Sequence, residues 1–390
     1  MIPAAPKLRF SEFKEPWKPG HAGDAFKNSR AKGAAGLPIY SVTMDRGLVR
    51  RDSLDRHMAA DAADGQNLRA QRGDIVYNMM RMWQGAVGLS HEECMVSPAY
   101  VVLSPKKHIS SEFFDQWFKA KRMLYLLGAY SHGITSDRLR LYADDFARIP
   151  LHLPSLPEQQ KIAAFLGAVD AKLAALAAKQ AALDRFKVGL MQKLFNQQLR
   201  FTKDDGQAFP DWDEKELREV SKINPKSPKL PERFRYIDLE SVNAGTLGAV
   251  SEINAIEAPS RAQRVLQRGD ILYQMVRPYQ SNNLYFDLDG AYVGSTGYAQ
   301  IRAKQNRHYL FHVLHTEKFV SRVVERCTGT GYPAINSNDL GGITVPIPHP
   351  EEQQKIADAL CAMDAKIQAT GAQMACLESF KEGLLQQMFA

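Results

Sequence analysis

No run of apolar residues in the 390-residue chain approaches the ~18 that a membrane-crossing helix needs, which excludes a helical transmembrane protein. The opening Met1–Lys7 lacks the apolar core of a secretory signal, so none is expected. Cysteine is scarce: Cys94, Cys327, Cys361 and Cys376 stand far apart, with no C-x-x-C pair. That excludes a disulfide scaffold and a zinc ribbon, and a reduced, cytoplasmic setting is expected. Catalytic motifs are missing too. No G-x-x-x-x-G-K-[ST] loop occurs, and Cys327-Thr328-Gly329-Thr330-Gly331 lacks the third glycine and the preceding strand of a nucleotide-binding turn. Asn224-Pro225-Lys226-Ser227 lacks the second proline and the aromatic of the Asn/Asp-Pro-Pro-aromatic motif of amino-methyltransferases, so a turn is the better reading. His91-Glu92-Glu93-Cys94 has ligating side chains but no second ligand pair at a suitable spacing. The balance favours a chain that is not an enzyme and binds no metal and no cofactor of its own.

What is present is globular composition, 45% hydrophobic and 24% charged. The net charge of +7 is uneven: +6 over residues 1–149 and +3 over 150–198, against +1 over 199–349 and −3 over 350–390. A basic excess suits an anionic partner such as nucleic acid, although many soluble proteins are as mildly basic.

The strongest signal is internal repetition. Residues 158–195 and 352–389 align without a gap at an offset of 194, with 21 of 38 positions identical. Upstream the likeness is weaker. Gln71-Arg72-Gly73-Asp74-Ile75-Val76-Tyr77 answers Gln267-Arg268-Gly269-Asp270-Ile271-Leu272-Tyr273, and Leu8-Arg9-Phe10 is echoed by Leu199-Arg200-Phe201. The chain is two copies of one unit, each a globular part followed by a long helical part. The boundaries fall at 1–149 (globular), 150–198 (helical), 199–343 (globular) and 344–390 (helical). The globular parts have diverged heavily and the helical parts have not.

The helical parts carry a heptad seam. Steps of four and three pass through Ile162, Leu166, Val169, Leu173, Leu176, Leu183 and Leu190, with breaks at Gln180 and Lys187. The second copy gives Ile356, Leu360, Met363, Ile367, Met374, Leu377 and Leu384, with breaks at Thr370 and Lys381. That narrow stripe is the mark of a coiled coil. At 1.5 Å per residue, each 38-residue copy makes a rod of about 57 Å. A single-striped helix needs a partner, and the economical one is its own duplicate, lying antiparallel about a pseudo-two-fold axis. The alternative is that each helix packs on its own globule as an ordinary core helix. The globular parts mix short β-like runs with helical patches at 111–127 and 308–326. The expected fold class is therefore α+β: two tandem globular domains joined by two long helices forming an antiparallel coiled coil.

This ordered, duplicated set of motifs resembles the DNA-specificity (S) subunits of type I restriction-modification systems over essentially the whole chain. It rests on Pro6–Phe13, the two Arg-Gly-Asp-Ile segments, Trp83-Gln84-Gly85-Ala86, and the proline-led segment ending in Glu-Gln-Gln-Lys-Ile-Ala before each helix, seen at Pro154–Ala163 and with one residue less in its second copy. The resemblance implies that each globule is a target recognition domain reading one half of a split, asymmetric sequence in double-stranded DNA. It implies that the helices fix the gap and dock two modification (methyltransferase) subunits, which carry S-adenosylmethionine, and that separate restriction subunits cleave DNA.

If the halves read different sequences, residues common to both globules are poor base readers. Arg72, Arg268, Asp74, Asp270, Tyr77 and Tyr273 are then scaffold or phosphate contacts. Base selection comes from base edges, for which Arg, Asn and Gln carry suitable donors and acceptors. The expected readers follow the matched strands: Asn78, Arg81 and Gln84 in the first copy, Gln274, Arg277 and Gln280 in the second. Arg138, Arg140, Lys226, Lys229, Asn336 and Asn338 form a second tier. For each, a solvated surface residue or a turn cap stays equally open. Docking is expected on helix faces away from the seam, around Gln159, Gln160, Lys161, Phe165 and Phe186, with Gln353, Gln354, Lys355 and Phe380 as counterparts. Two rivals stay open: a self-contained DNA methyltransferase or nuclease, and a coiled-coil adaptor without a nucleic-acid role.

Overall fold

Both Gln-Arg-Gly-Asp segments make the same turn into the same kind of strand. Gly73 and Gly269 each sit at φ 92°, a left-handed conformation that glycine adopts without strain. The aspartate then folds back: Asp74 Oδ2 accepts the Gln71 N–H at 2.8 Å, and Asp270 Oδ2 accepts the Gln267 N–H at 2.8 Å. The residues that follow, Ile75-Val76-Tyr77 and Ile271-Leu272-Tyr273, are fully buried in an inner strand of a sheet.

The structure, a computed structural model, describes residues 6–54, 65–135, 138–329 and 331–389; Met1–Ala5 and Thr330, considered above, lie outside the described residues. The chain divides into two compact units, Met1–Ala178 with Gly371–Ala390, and Lys179–Thr370.

In the first unit, one four-stranded antiparallel sheet runs in the order Phe26–Ser29, Tyr100–Pro105, Ile75–Asn78, Val87–Leu89. A second runs Gly47–Arg50, Ile39–Thr43, Cys94–Val96, Leu68–Ala70, with its middle pair parallel. Lys18–His21 pairs with Pro150–Leu153 just before the long helix begins. The second unit has the same plan. One sheet runs Ser221–Ile223, Tyr298–Ala303, Ile271–Gln274, Leu284–Tyr285, and the other Glu252–Asn254, Arg233–Ile237, Tyr292–Ser295, Ala262–Val265, again with a parallel middle pair. Asp213–Glu216 pairs with Thr344–Ile347. Among the described residues four α-helices complete each globule: Ala22–Ala25, Ser111–Trp117, Lys121–Ala129 and Ala143–Ala147 in one, Leu217–Val220, Arg307–Val313, Glu317–Glu325 and Ser337–Gly341 in the other. The α+β class and the tandem repeat therefore hold, and globules that share little sequence share their strand order.

The long helices span Leu156–Phe195 and Pro350–Met388, and each unit contains the first part of one and the last part of the other. Burial follows the heptad seam. Ile162, Leu166, Val169, Leu176, Ile356, Leu360, Met363 and Leu384 are buried, and Leu173, Leu183, Leu190, Ile367, Met374 and Leu377 half-buried. In the first unit Ile162, Leu166 and Val169 share a core with Leu384, Met388 and Phe389. In the second, Leu194 shares one with Ile356 and Leu360.

The seam lysines are explained by their partners. Lys381 pairs with Asp170 at 2.5 Å in the first unit, and Lys187 with Asp364 in the second, the same pair read through the 194-residue offset. Leu8 N–H donates to the Gln387 carbonyl while its neighbour Arg9 holds Glu158. In the first unit the start of the first long helix thus packs beside the end of the second. Among the described residues no helix is long and apolar enough to cross a membrane.

Candidate nucleic-acid interface

Each inner strand ends in a loop sewn to a second loop by one equivalent hydrogen bond. Leu141 N–H donates to the Met79 carbonyl at 2.9 Å in the first unit, and Ile335 N–H to the Met275 carbonyl at 3.0 Å in the second. Polar residues that lie far apart in the chain meet at these composite tips.

In the first unit, Asn78 Oδ1 accepts the Met80 N–H at 3.0 Å, and the Met82–Gln84 turn closes on Gly85. Arg81 is exposed, with Nη1 donating to Gln84 Oε1 at 3.0 Å. The adjoining loop is a small hairpin in which His132 and Arg140 exchange both backbone hydrogen bonds at 2.9 Å, and it carries the exposed Arg138 and Arg140. The structure thus brings Asn78, Arg81 and Gln84 together with the loop of Arg138 and Arg140.

The second unit builds its tip differently. Gln274, expected as a base reader, is buried. Its Nε2 donates to the Val276 carbonyl at 2.7 Å and to Gln280 Oε1 at 3.0 Å, and its Oε1 accepts the Asn282 N–H at 3.2 Å. It holds the loop and has no group left for a base. Asn336 is exposed and serves as a turn cap: its Oδ1 caps the helix Ser337–Gly341 through Asn338 N–H and Asp339 N–H, and its Nδ2 donates to Asp339 Oδ2 at 2.6 Å. Arg277 and the exposed Gln280 remain at the tip, beside Tyr279 and Tyr332, which sequence reading missed. Lys226 and Lys229 are exposed on a third loop, joined to this tip where Asn224 Nδ2 donates to Ser337 Oγ at 2.7 Å. Asn338 is exposed, and its carbonyl accepts from Arg218 Nη2 at 3.2 Å.

The residues common to both copies separate cleanly. Tyr77 and Tyr273 have no exposed surface, which makes them scaffold and rules out phosphate contact; burial raises both hydroxyl pKa values. Asp74 and Asp270 close their turns from inside, and Arg302 adds a two-pronged clasp on Asp270 at 2.7 and 2.9 Å. Arg72 is exposed, whereas Arg268 is tied to Asp287.

On the long helices, Gln159 and Gln353 are withdrawn as docking residues, because both are buried. Gln159 accepts the Ser110 N–H at 2.9 Å and donates to the Pro154 carbonyl at 2.9 Å; Gln353 donates to the Pro348 carbonyl at 2.9 Å and to Gln305 Oε1 at 3.0 Å. Each ties a helix start to its own globule. Lys161 pairs with Glu12, and Lys355 with Asp204. Phe165 packs edge-on against Phe10. Gln160 and Gln354 are exposed. Phe186 and Phe380, equivalent through the repeat, are open apolar positions at 60% and 52% exposure.

A further pair went unrecognised as a site. Glu158 and Glu352 stand in the first helical turn, a place where helix-dipole stabilisation is enough to explain a carboxylate. Both are buried. Glu158 accepts from Arg9 Nε at 2.6 Å and Trp17 Nε1 at 3.1 Å, and Glu352 from Arg200 Nη2 at 2.8 Å and Trp212 Nε1 at 3.0 Å. The signal was the echo of Leu-Arg-Phe at 8–10 and 199–201, each with a tryptophan shortly downstream. Among the described residues no group of three or more His, Cys, Asp or Glu is placed to hold a metal ion. In the sequence His91–Cys94, Glu92 bonds Tyr40, Glu93 pairs with Arg69 and Cys94 is buried.

The family model for the type I restriction modification DNA specificity domain matches residues 21–185 and 210–378. The specificity subunit of the type I restriction enzyme MjaVIII of Methanocaldococcus jannaschii is 26% identical over 264 residues, which is 62% of this chain and 61% of that protein. The HindI specificity subunit of Haemophilus influenzae is 30% identical over 143 residues, 35% of this chain and 31% of that protein. The matches thus span about three-fifths or less of these relatives' length. The crystal structure of a type I restriction-modification S subunit from M. genitalium superposes with a TM-score of 0.63 at 16% identity, covering 99% of both chains. A chain from a study of assembly and conformational transition in a type I system gives 0.55 at 17% identity, covering 97% of this chain and 98% of that one. At such identities the likeness concerns the fold.

Proposed function

The chain belongs to the type I restriction-modification DNA-specificity family, and from that premise we propose that it is the sequence-reading, non-catalytic subunit of such a complex, acting on double-stranded DNA in the cytoplasm. Each globular part, 1–149 and 199–343, reads one half of a bipartite, asymmetric site through its composite tip. The helical parts, 150–198 and 344–390, pair as an antiparallel coiled coil that sets the spacing between the halves. They also dock two methyltransferase subunits. S-adenosylmethionine and adenine methylation belong to those subunits, and cleavage to restriction subunits in the full complex.

One observation carries this reading. The same strand order and the same sewn pair of loops occur twice, while the side chains at the two tips differ: the exposed Arg81, Arg138 and Arg140 in one, the half-buried Arg277 and the exposed Tyr279 and Tyr332 in the other. A duplicated scaffold with divergent tips suits two different half-sites. A duplicated helix with conserved faces suits two copies of one partner.

The test is binding of the full chain, with its modification subunits, to duplex DNA at several salt concentrations. Phosphate neutralisation makes affinity fall steeply as salt rises. Binding with that salt slope and a preference for one bipartite sequence is expected. Salt-independent behaviour, or no binding, would favour the adaptor. Methyl transfer by the chain alone would favour a self-contained enzyme.

A further inference from the structure

The strand Ile271–Gln274 leads into a loop whose backbone departs from that of its first-unit counterpart. Arg277 and Ser281 hold left-handed conformations, φ 52° and 53°. The first-unit loop makes its left-handed turn with a glycine, Gly85 at φ 90°. A side chain in that region is strained, and such strain persists only where the surroundings hold it. Here they do. Buried Gln274 bonds to Val276, Gln280 and Asn282, Asn283 Oδ1 accepts the Gln274 N–H at 2.8 Å, and Arg277 N–H donates to the Pro333 carbonyl at 2.7 Å. A glycine would relieve the strain, and an arginine stands in its place.

The Arg277 side chain is equally constrained. Its guanidinium lies over the Tyr332 ring, 4.3 Å from the centroid. Among the described residues no carboxylate pairs with it, whereas Arg200, Arg268 and Arg302 are each held by at least one. Tyr332 and Tyr279 are 68% and 53% exposed. The tip therefore presents a planar fork of donors, fixed by stacking, with no acidic partner and with exposed aromatic rings beside it. Such a fork matches O6 and N7 of guanine in the major groove, the commonest specific arginine contact with DNA. A phosphate contact needs neither the strained backbone nor the stack, since any flexible cation supplies it.

Granting the DNA-reading role proposed above, we infer that Arg277 selects a guanine in the half-site read by the second unit. Tyr332 is a positioning residue that fixes the plane of the guanidinium. Arg81 of the first unit is bonded to Gln84 and, among the described residues, has no aromatic stack.

The test enriches bound sequences from a random duplex library, using the tagged full chain purified with the modification subunits that accompany it. The wild type is compared with Arg277→Lys, Arg277→Asn and Tyr332→Phe. Asparagine tolerates the left-handed backbone, which guards against misfolding, and lysine keeps the charge without the fork. The expected result is loss of guanine preference at one position of one half-site in Arg277→Asn, by roughly 5- to 150-fold, and a smaller loss at the same position in Arg277→Lys, with the other half-site unchanged. Tyr332→Phe retains the preference because the ring remains. Uniform weakening across all sequences with a salt slope lower by about one would make Arg277 a phosphate contact and overturn the inference while leaving the DNA-reading role intact. An unchanged motif in both Arg277 variants would also overturn it. A wild-type protein that enriches no motif would overturn the DNA-reading role itself, and this inference with it.

Discussion

Gln116 and His312 occupy the same place in the two units and show how one position can be filled by different chemistry. Gln116 Nε2 donates to Asp170 Oδ2 at 2.8 Å. His312 lies 3.9 Å from Asp364, the repeat-equivalent of Asp170, and 3.7 Å from the Cys361 thiol. Burial, with Lys187, His315 and His308 nearby, pushes the His312 imidazole down from 6.5 to about 3. The sign follows from linkage: the unfolded chain takes a proton near pH 6.5, and the folded one does not until about pH 3. Stability present above pH 6.5 is therefore lost as pH falls toward 3. From this one group the loss at pH 5 is about 2 kcal/mol. Burial lowers the pKa of His308 and His315 too, in the same direction. Hydrogen exchange of the helix Arg307–Val313 should quicken between pH 7 and 5 once the intrinsic rate is corrected for. His312→Gln, which installs the residue of the other copy, should reduce that acid sensitivity; an undiminished pH slope would show that His312 plays no part.

Among single residues, the candidate readers were legible only as types. Arg277 follows a strand shared by both copies and carries a base-reading side chain. What distinguishes it from a solvated arginine is its φ and its stack on Tyr332, a residue far along the chain, and neither leaves a local pattern. Gln274 failed as a candidate for the converse reason: an amide that reads a base and an amide that ties a loop are the same residue type.

At the scale of elements, the long helices were the most legible part. The heptad marks the inward positions, and burial follows it through Ile162, Leu166 and Val169 and again through Ile356, Leu360 and Met363. The anchoring of each helix start was not legible, because Glu158, Gln159, Glu352 and Gln353 are polar residues and polar residues are ordinarily exposed. Glu352 illustrates the consequence. Its carboxylate has no exposed surface and satisfies both Arg200 and Trp212. Glu352→Ala leaves the Trp212 N–H without its acceptor and Arg200 with the Phe209 and Pro210 carbonyls and Asp211, and a loss of about 1–3 kcal/mol from the second unit is expected. Glu158→Ala should have the matching effect on the first unit through Arg9 and Trp17. Hydrogen exchange resolved by segment, combined with urea unfolding, would assign the loss; unchanged protection in the affected unit would contradict the anchor.

The Lys187–Asp364 and Lys381–Asp170 pairs call for a smaller figure. Their side chains are 17–37% exposed, so solvent screens them. A double-mutant cycle on Lys187 and Asp364 should return a coupling of about 0.5–1 kcal/mol. A value near zero would leave the seam lysines unexplained.

For the whole molecule, the repeat was visible because the helical copies keep 21 of 38 residues. The matching sheet orders of the globules were not, since strand order depends on long-range pairing such as Tyr298–Ala303 between Ser221–Ile223 and Ile271–Gln274. Phe186 and Phe380 bear on assembly. Both are exposed, and they are equivalent through the repeat. Replacing both with Asp should abolish co-purification with the modification subunits while the chain stays folded, and replacing either one should leave about half the partner bound. Intact co-purification of the double variant would place docking elsewhere.

Adenine methylation across the host genome, with the gene intact, deleted and restored, bears most directly on the proposal that one chain reads two unlike half-sites. The expected result is one asymmetric motif, two short specified blocks around a gap of constant length, that is methylated only when the gene is present. Unchanged methylation on deletion, or a lost motif that is continuous or palindromic, would contradict it.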